Sequence, residues 1–142
     1  MLLWNEGDFE VSTDKARLDD LAIHAFLVDA YWSKGRSLEK VRRTLEHSLC
    51  FGLYRGQEQI GFGRVVSDFS TFAYIADVFV VEAQRGHGLG KRLVQCMVEH
   101  EELQGLKRWI LATADAHGLY ANFGFTPLSS PERFMEKRLP GA

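Results

Sequence analysis

The chain has 142 residues, 46% hydrophobic and 25% charged, an ordinary balance for a soluble globular protein and enough length for one adequate core. Residues 1–142 are therefore expected to form a single domain. The net charge of −2 argues against nucleic acid or an anionic membrane surface as the main partner.

Phe9-Glu10-Val11-Ser12-Thr13 alternates and predicts an edge strand. Thr13 or Asp14 can cap a helix whose apolar face takes in Leu18, Leu21, Ala22, Ala25 and Val28 and which ends near Tyr31-Trp32, before Gly35. Ser37 can cap a second helix with Leu38, Val41 and Leu45 turned inward. Two strands, 49–54 and 59–66, flank the hairpin signal Arg55-Gly56-Gln57-Glu58. Asp68-Phe69-Ser70 reads as a turn, with Asp68 as turn chemistry, and 72–81 as the third strand of this group. A long helix runs to Glu102, and Trp109 to Ala112 is a strand parallel to the third if that helix is a crossover. Asp115 can cap a short helix through Phe123, with Gly124 as its stop, and 125–128 and 133–137 predict a final antiparallel pair. The order is βααβββαβαββ, an α+β chain with a mixed, mostly antiparallel sheet and helices on both faces.

The start Met1-Leu2-Leu3-Trp4 meets Asn5, Glu6 and Asp8 at once, too short and without the basic lead of a secretory signal. No run approaches the length of a membrane-spanning helix. Cys50 and Cys96 stand alone in apolar patterns, which predicts free buried thiols in a reducing cytoplasm. The five histidines show no ligand spacing, so no metal is implied.

The informative stretch is 77–102. Asp77-Val78-Phe79-Val80-Val81 suits a buried strand. Leu89, Leu93, Val94, Met97 and Val98 mark one helix face, and Gly86, Gly88 and Gly90 lie between. Glycines at a helix start leave N–H groups uncovered for an anion, usually phosphate. Lys91 and Arg92 in the first turn and Glu99, Glu101 and Glu102 near the end oppose the helix dipole, as a bound polyanion would permit. Two familiar loops do not fit. Arg85 and Arg92 stand where a Walker A loop needs Gly and Ser or Thr, and Lys91 replaces the third glycine of a dinucleotide fingerprint.

Arg85-x-x-Gly88-x-Gly90 resembles the pyrophosphate motif of the GNAT superfamily of N-acetyltransferases. Leu119-Tyr120-Ala121-Asn122-Phe123-Gly124-Phe125 is similar to its second signature, in the same order and at a common spacing. The resemblance implies the GNAT fold, acetyl-coenzyme A as co-substrate, and direct acetyl transfer to a primary amine of a small or amino-acid-like acceptor. A protein or peptide amine is the competing acceptor, and a non-catalytic acyl-coenzyme A module the other alternative. It further implies that Arg85, Gly86, His87, Gly88, Leu89, Gly90 and Lys91 hold the pyrophosphate. Phe79, Val80 and Val81 lie along pantetheine, with main-chain groups at Phe79 and Val81 pairing to it, and Asn122 joins the donor site. Tyr120 protonates the departing thiolate, Tyr31 and Trp32 wall the acceptor pocket, and a homodimer through terminal strand edges is common.

Two charges stand out without the resemblance. Asp77 interrupts an apolar strand, so its carboxylate is either paired or functional: a base, an ammonium anchor, or a structural group. Arg64 interrupts the neighbouring strand and can pair with Asp77, grip an acceptor carboxylate, or face water. Glu82 is a second, more exposed candidate base. Neither cysteine has a nucleophile's setting, which disfavours an acyl-enzyme.

Overall fold

Six strands form one sheet in sequence order in a computed structural model that describes residues 1–140. They are β1 (Leu2–Glu6), β2 (Phe9–Ser12), β3 (Leu49–Arg55), β4 (Glu58–Ser67), β5 (Phe72–Val80) and β6 (Arg108–Ile110). All neighbours are antiparallel except β5 and β6, which are parallel. The helices are α1 (Asp20–Leu27), α2 (Leu38–Glu46), α3 (Leu89–Glu99) and α4 (His117–Ala121). None is long and apolar enough to cross a membrane among the described residues.

Each sheet face has its own core. Leu89, Leu93, Val94 and Met97 of α3 pack on Phe51, Leu53, Val65, Ala73 and Ile75. On the other face Ile23 and Leu27 of α1 and Val41 and Leu45 of α2 cover Cys50, Phe62 and Phe79. Phe26 stacks flat on Phe79, with ring centroids 3.9 Å apart.

The middle of the chain follows its sequence pattern; the ends do not. β1 was not expected. It exists because Gly7, at φ +61°, turns the chain so that Glu6 meets Phe9, and Gly7-Asp8 is the hairpin signal that could have been read. Asp14 caps only the 3-10 turn Lys15–Arg17; α1 starts later, capped by Asp19, whose side chain accepts from Ala22 N. This shift turns Ile23 and Leu27 inward and leaves Leu21 59% exposed, against the expected face. At the C-terminus, 125–128 and 133–137 form no strands. Pro127 and Pro131 lack N–H donors, Pro131 opens a 3-10 turn, and Met135 is 98% exposed. The observed order is ββααβββαβα, and β6 is an edge strand among the described residues.

The feature that positions the site is a bulge in β5. Phe62 faces Phe79 but Arg64 faces Ala76, so β5 spends one extra residue there. That residue is Asp77, at φ +56° in the left-handed region. The bulge reverses the alternation of faces. Ala73 and Ile75 point to α3 before it; Phe79 points to α1 after it, while Val78 and Val80 join the α3 side. Pairing of β5 with β6 stops at Tyr74 and Ile110, although β5 continues to Val80. The two parallel strands therefore splay.

Glycines in β4 let the strands and α3 approach around this bulge. A Cβ on Gly61 would lie 2.8 Å from the Phe79 carbonyl oxygen and 2.9 Å from Leu53 Cδ2. Gly61→Ala should therefore force a backbone shift costing about 1–3 kcal/mol. Urea denaturation checks this, and an unchanged midpoint would show that no close approach exists.

Candidate active site

The splay opens a cleft of about 510 Å³ between the bulged half of β5 and the segment after β6, 111–116. Tyr31, Trp32 and Arg36, from the connection between α1 and α2, close one side; Arg64 and Asp77 form the wall, and Tyr120 reaches in from α4. Thus Tyr31, Trp32, Arg64, Asp77 and Tyr120, far apart in the chain, line one space.

Asp77 is the hub of that wall. Its Oδ2 accepts from Arg64 Nε and Arg36 Nη1, each at 2.7 Å, and its Oδ1 accepts from Trp32 Nε1 at 2.9 Å. Its side chain is only 2% exposed. Burial pushes the carboxyl up, but the two guanidiniums and their hydrogen bonds outweigh it and hold the group below the usual carboxylate range. Asp77 is therefore corrected from candidate base or ammonium anchor to an ionised structural hub: its proton affinity is lowered and its oxygens are occupied. The pairing with Asp77 open to Arg64 at the sequence level is realised.

Arg36 was missed by sequence reading. It follows Gly35 in a loop with no periodicity, four residues after Trp32, and carries no local signal of its own. His24 Nε2 lies 3.0 Å from the Arg36 carbonyl and fixes the loop that carries it.

Tyr120 is 7% exposed, set edge-on to Phe125 at 5.9 Å, and its hydroxyl makes no hydrogen bond among the described residues. Burial, with smaller contributions from Tyr31 and Asp115, pushes its phenol up to about 12. It remains a proton donor at neutral pH. Tyr31 accepts at its hydroxyl from Ala114 N at 3.2 Å, bridging the cleft's two sides. Asp115 does not cap α4 as expected. The N-cap is Ala116, whose N–H goes to Thr113 Oγ1 at 3.0 Å. Asp115 is instead an exposed cleft carboxylate without a hydrogen bond or ion pair among the described residues.

The glycine loop lies beyond the end of β5. Gly88 is the N-cap of α3 at φ +71° and supplies no side-chain bond. The first helical bond runs from Arg92 N to Gly88 O at 3.1 Å, which leaves the N–H groups of Leu89, Gly90 and Lys91 without helical partners. Gly86 is also left-handed, at φ +91°. No acidic residue occupies the first turn of α3. These features fit a phosphate group. Arg85 instead bends back, its Nε donating to Val80 O at 3.1 Å, and the exposed His87 ring tilts against Phe9.

The expected pairing of the Phe79 and Val81 main chain to pantetheine is corrected. Val81 N donates to Ile60 O at 2.8 Å, and the Phe79 carbonyl lies over Gly61, so both residues turn their main chain toward β4. Strand alternation gives the edge facing the splay to Val78 and Val80. Asn122 Nδ2 donates to the Gly118 and Leu119 carbonyls of its own helix.

Cys50 and Cys96 are free, the first buried and the second half-buried, and burial pushes both thiols up to about 11. Neither is a ready nucleophile. Among the described residues no group of three His, Cys, Asp or Glu side chains could hold a metal ion.

An anion site at one end of a splayed strand and a cleft with a protonated phenol at its bulge are the layout of an acyltransferase that takes a phosphate-bearing donor. Residues 14–125 match the model of the acetyltransferase (GNAT) family, and the chain belongs to it. A crystal structure of a GNAT-family candidate acetyltransferase from Xanthomonas campestris pv. campestris is 48% identical, with a TM-score of 0.91 over 94% of each chain. A candidate acetyltransferase of Gibberella zeae is 33% identical over 140 residues, covering 82% of this chain and 78% of its own length. Rv2747 of Mycobacterium tuberculosis, solved in complex with CoA and NLQ, shares the fold at 24% identity and a TM-score of 0.66, over 84% of this chain and 72% of its own. The family is one of N-acetyltransferases that use acetyl-CoA.

Two predictions follow from the wall and the loop. Asp77→Asn leaves two largely buried guanidiniums short of a counter-charge and should cost about 3–5 kcal/mol at pH 7. Because the folded pKa is depressed, the stability is present above the unfolded carboxyl value and fades as pH falls through the folded one. The gap between wild type and Asp77→Asn in urea should therefore narrow in acid; a gap independent of pH would contradict the ion cluster. For the loop, Gly88→Val and Gly105→Val both place a branched residue at a left-handed glycine with open space around it, Gly105 being at φ +76°. Each should lose roughly 1–2 kcal/mol of stability. Only Gly88→Val should also lose the thermal shift given by acetyl-CoA, about 2.7 kcal/mol at 100 times the dissociation constant.

Proposed function

We propose that this protein transfers the acetyl group of acetyl-CoA directly to the primary amine of a small molecule, with no acyl-enzyme. The observation that carries the reading is the Tyr120 phenol, protonated and without a hydrogen-bond partner, in the cleft where the two parallel strands part. Bound acetyl-CoA supplies an activated acyl carbon as a thioester. The Leu89, Gly90 and Lys91 N–H groups hold its pyrophosphate, and the Val78 and Val80 main chain lines its pantetheine arm.

The amine enters on the side of Tyr31 and Trp32. Asp115, the cleft carboxylate not committed to a partner, receives the ammonium, and the amine loses its proton there or to water. A carbon–nitrogen bond forms as the carbon–sulfur bond breaks, and the Tyr120 hydroxyl gives the sulfur its proton. A peptide amine is the second reading, because Val66, Phe72 and Tyr74 leave an exposed apolar stretch beside the cleft.

The test is acetyl transfer to a panel of primary amines, read as thiol release, in wild type and Tyr120→Phe. That variant keeps the ring and its packing and should bind acetyl-CoA normally. Its single-turnover rate should fall by about 10²–10⁴-fold. With the phenol raised to about 12, no alkaline limb from Tyr120 is expected below about pH 10. An unchanged single-turnover rate would remove Tyr120 from the chemistry.

A further inference from the structure

The wall of the cleft holds more positive charge than the fold consumes. Arg36 and Arg64 share one oxygen of Asp77, so two guanidiniums lie side by side against a single carboxylate. Arg64 spends one further donor on Ser48 Oγ, at 3.1 Å. The Nη2 of Arg64 and the Nε and Nη2 of Arg36 make no hydrogen bond among the described residues. Both side chains are largely buried, at 17% and 14% exposure, yet both line the cleft. These unspent donors are not among the buried unpartnered atoms of the described residues and belong to residues that line the cleft, so an incoming anion can reach them.

Both groups are also held in place before any ligand arrives. Asp77 fixes each head, His24 fixes the Arg36 backbone, and Ser48 fixes Arg64 from the far side. Prepositioned guanidinium forks match the planar geometry of a carboxylate. The surplus is a single positive charge, which one carboxylate balances and a phosphate dianion overshoots. The other charged residue of the cleft, Asp115, has the opposite sign and lies on the other wall with Tyr120.

We propose that the acceptor is an α-amino acid or close analogue, its carboxylate docked on the unspent donors of Arg36 and Arg64 and its ammonium turned toward Asp115 and Tyr120. This rests on the acetyl-transfer reading above and names the substrate class for it. Arg36 is then the specificity residue and Asp77 the positioning residue that aims it. The two-point grip sets the distance from carboxylate to amine, so amines lacking the acid group enter without orientation.

The experiment is calorimetric titration of the protein, saturated with CoA, with a panel of N-acetyl-L-amino acids and the matching carboxamides. At least one acid should bind, and its carboxamide should bind tenfold or more weakly, roughly the worth of a charge-assisted contact. Arg36→Gln should weaken the acid by about 10–100-fold and leave the carboxamide and acetyl-CoA unchanged. Arg36→Lys should recover the stability lost in Arg36→Gln, by restoring a charge beside Asp77, but not the full preference for the acid, because it lacks the fork. Equal binding of acids and carboxamides by wild type, no binding by any acid, or an unchanged preference in Arg36→Gln would overturn the proposal. A protein that acetylates amines and carboxamides without regard to the acid group defeats this inference alone; one that fails to bind acetyl-CoA defeats the acetyl-transfer reading as well.

Discussion

A single left-handed residue in the middle of the sheet, Asp77, is the constraint on which the site depends. An L-residue there costs roughly 1–2 kcal/mol, and aspartate is among the side chains that tolerate it. The carboxylate offsets that cost with three hydrogen bonds to Trp32, Arg36 and Arg64. Bonds to charged groups are worth about 1.5–3 kcal/mol each, before the penalty of burying the charges. Two of these contacts, from Trp32 and Arg36, tie the loop between α1 and α2 to the central strands, and the third joins β4 to β5. Remove the bulge and Phe79 would face α3 instead of Phe26, β5 would keep its alternation, and the cleft wall would lose its hub.

The two ends of the splayed strand work by different physics. At the head of α3 the open groups are main-chain N–H, exposed by the backbone path, and residue identity matters mainly where Gly86 and Gly88 are left-handed. In the cleft the polar groups are side chains, drawn from the loop after α1, from β4, β5, the segment after β6 and α4. A backbone site leaves a legible mark in the sequence, because only glycine fits it. A side-chain cleft assembled from five places does not.

Charge distribution separates the roles of the two cleft aspartates. Asp77 is surrounded by positive charge, which stabilises its ionised form and takes it out of proton transfer. Asp115 is exposed, and its charge helps keep Tyr120 protonated. The exposed Asp115 carboxylate and the paired guanidiniums of Arg36 and Arg64 thereby face the cleft from different sides. The two cysteines, with thiols raised by burial, contribute packing and no nucleophile.

The sequence by itself determined the central βββαβ run, the glycine loop at the head of α3 and the tyrosine of α4, because strand alternation, helix periodicity and glycine's access to positive φ are local properties. It also marked Asp77 and Arg64 as anomalous, since charges in apolar strands demand partners. It offered Arg64 with Asp77 as one pairing but did not reveal Trp32 and Arg36 as the other partners. Arg36 has no pattern of its own and acquires a role only when the α1–α2 loop folds over the bulge. The parity of β5 was equally hidden: one extra residue against Gly63 moved the edge facing the splay from Phe79 and Val81 to Val78 and Val80. The chain ends were misread for local reasons, the Gly7-Asp8 turn and the tail prolines. β1 needs β2 to be a strand, and the tail after Phe125 has β-like residues but prolines that break the pairing. Register, charge pairing and edge pairing are long-range, and only the tertiary structure decided them.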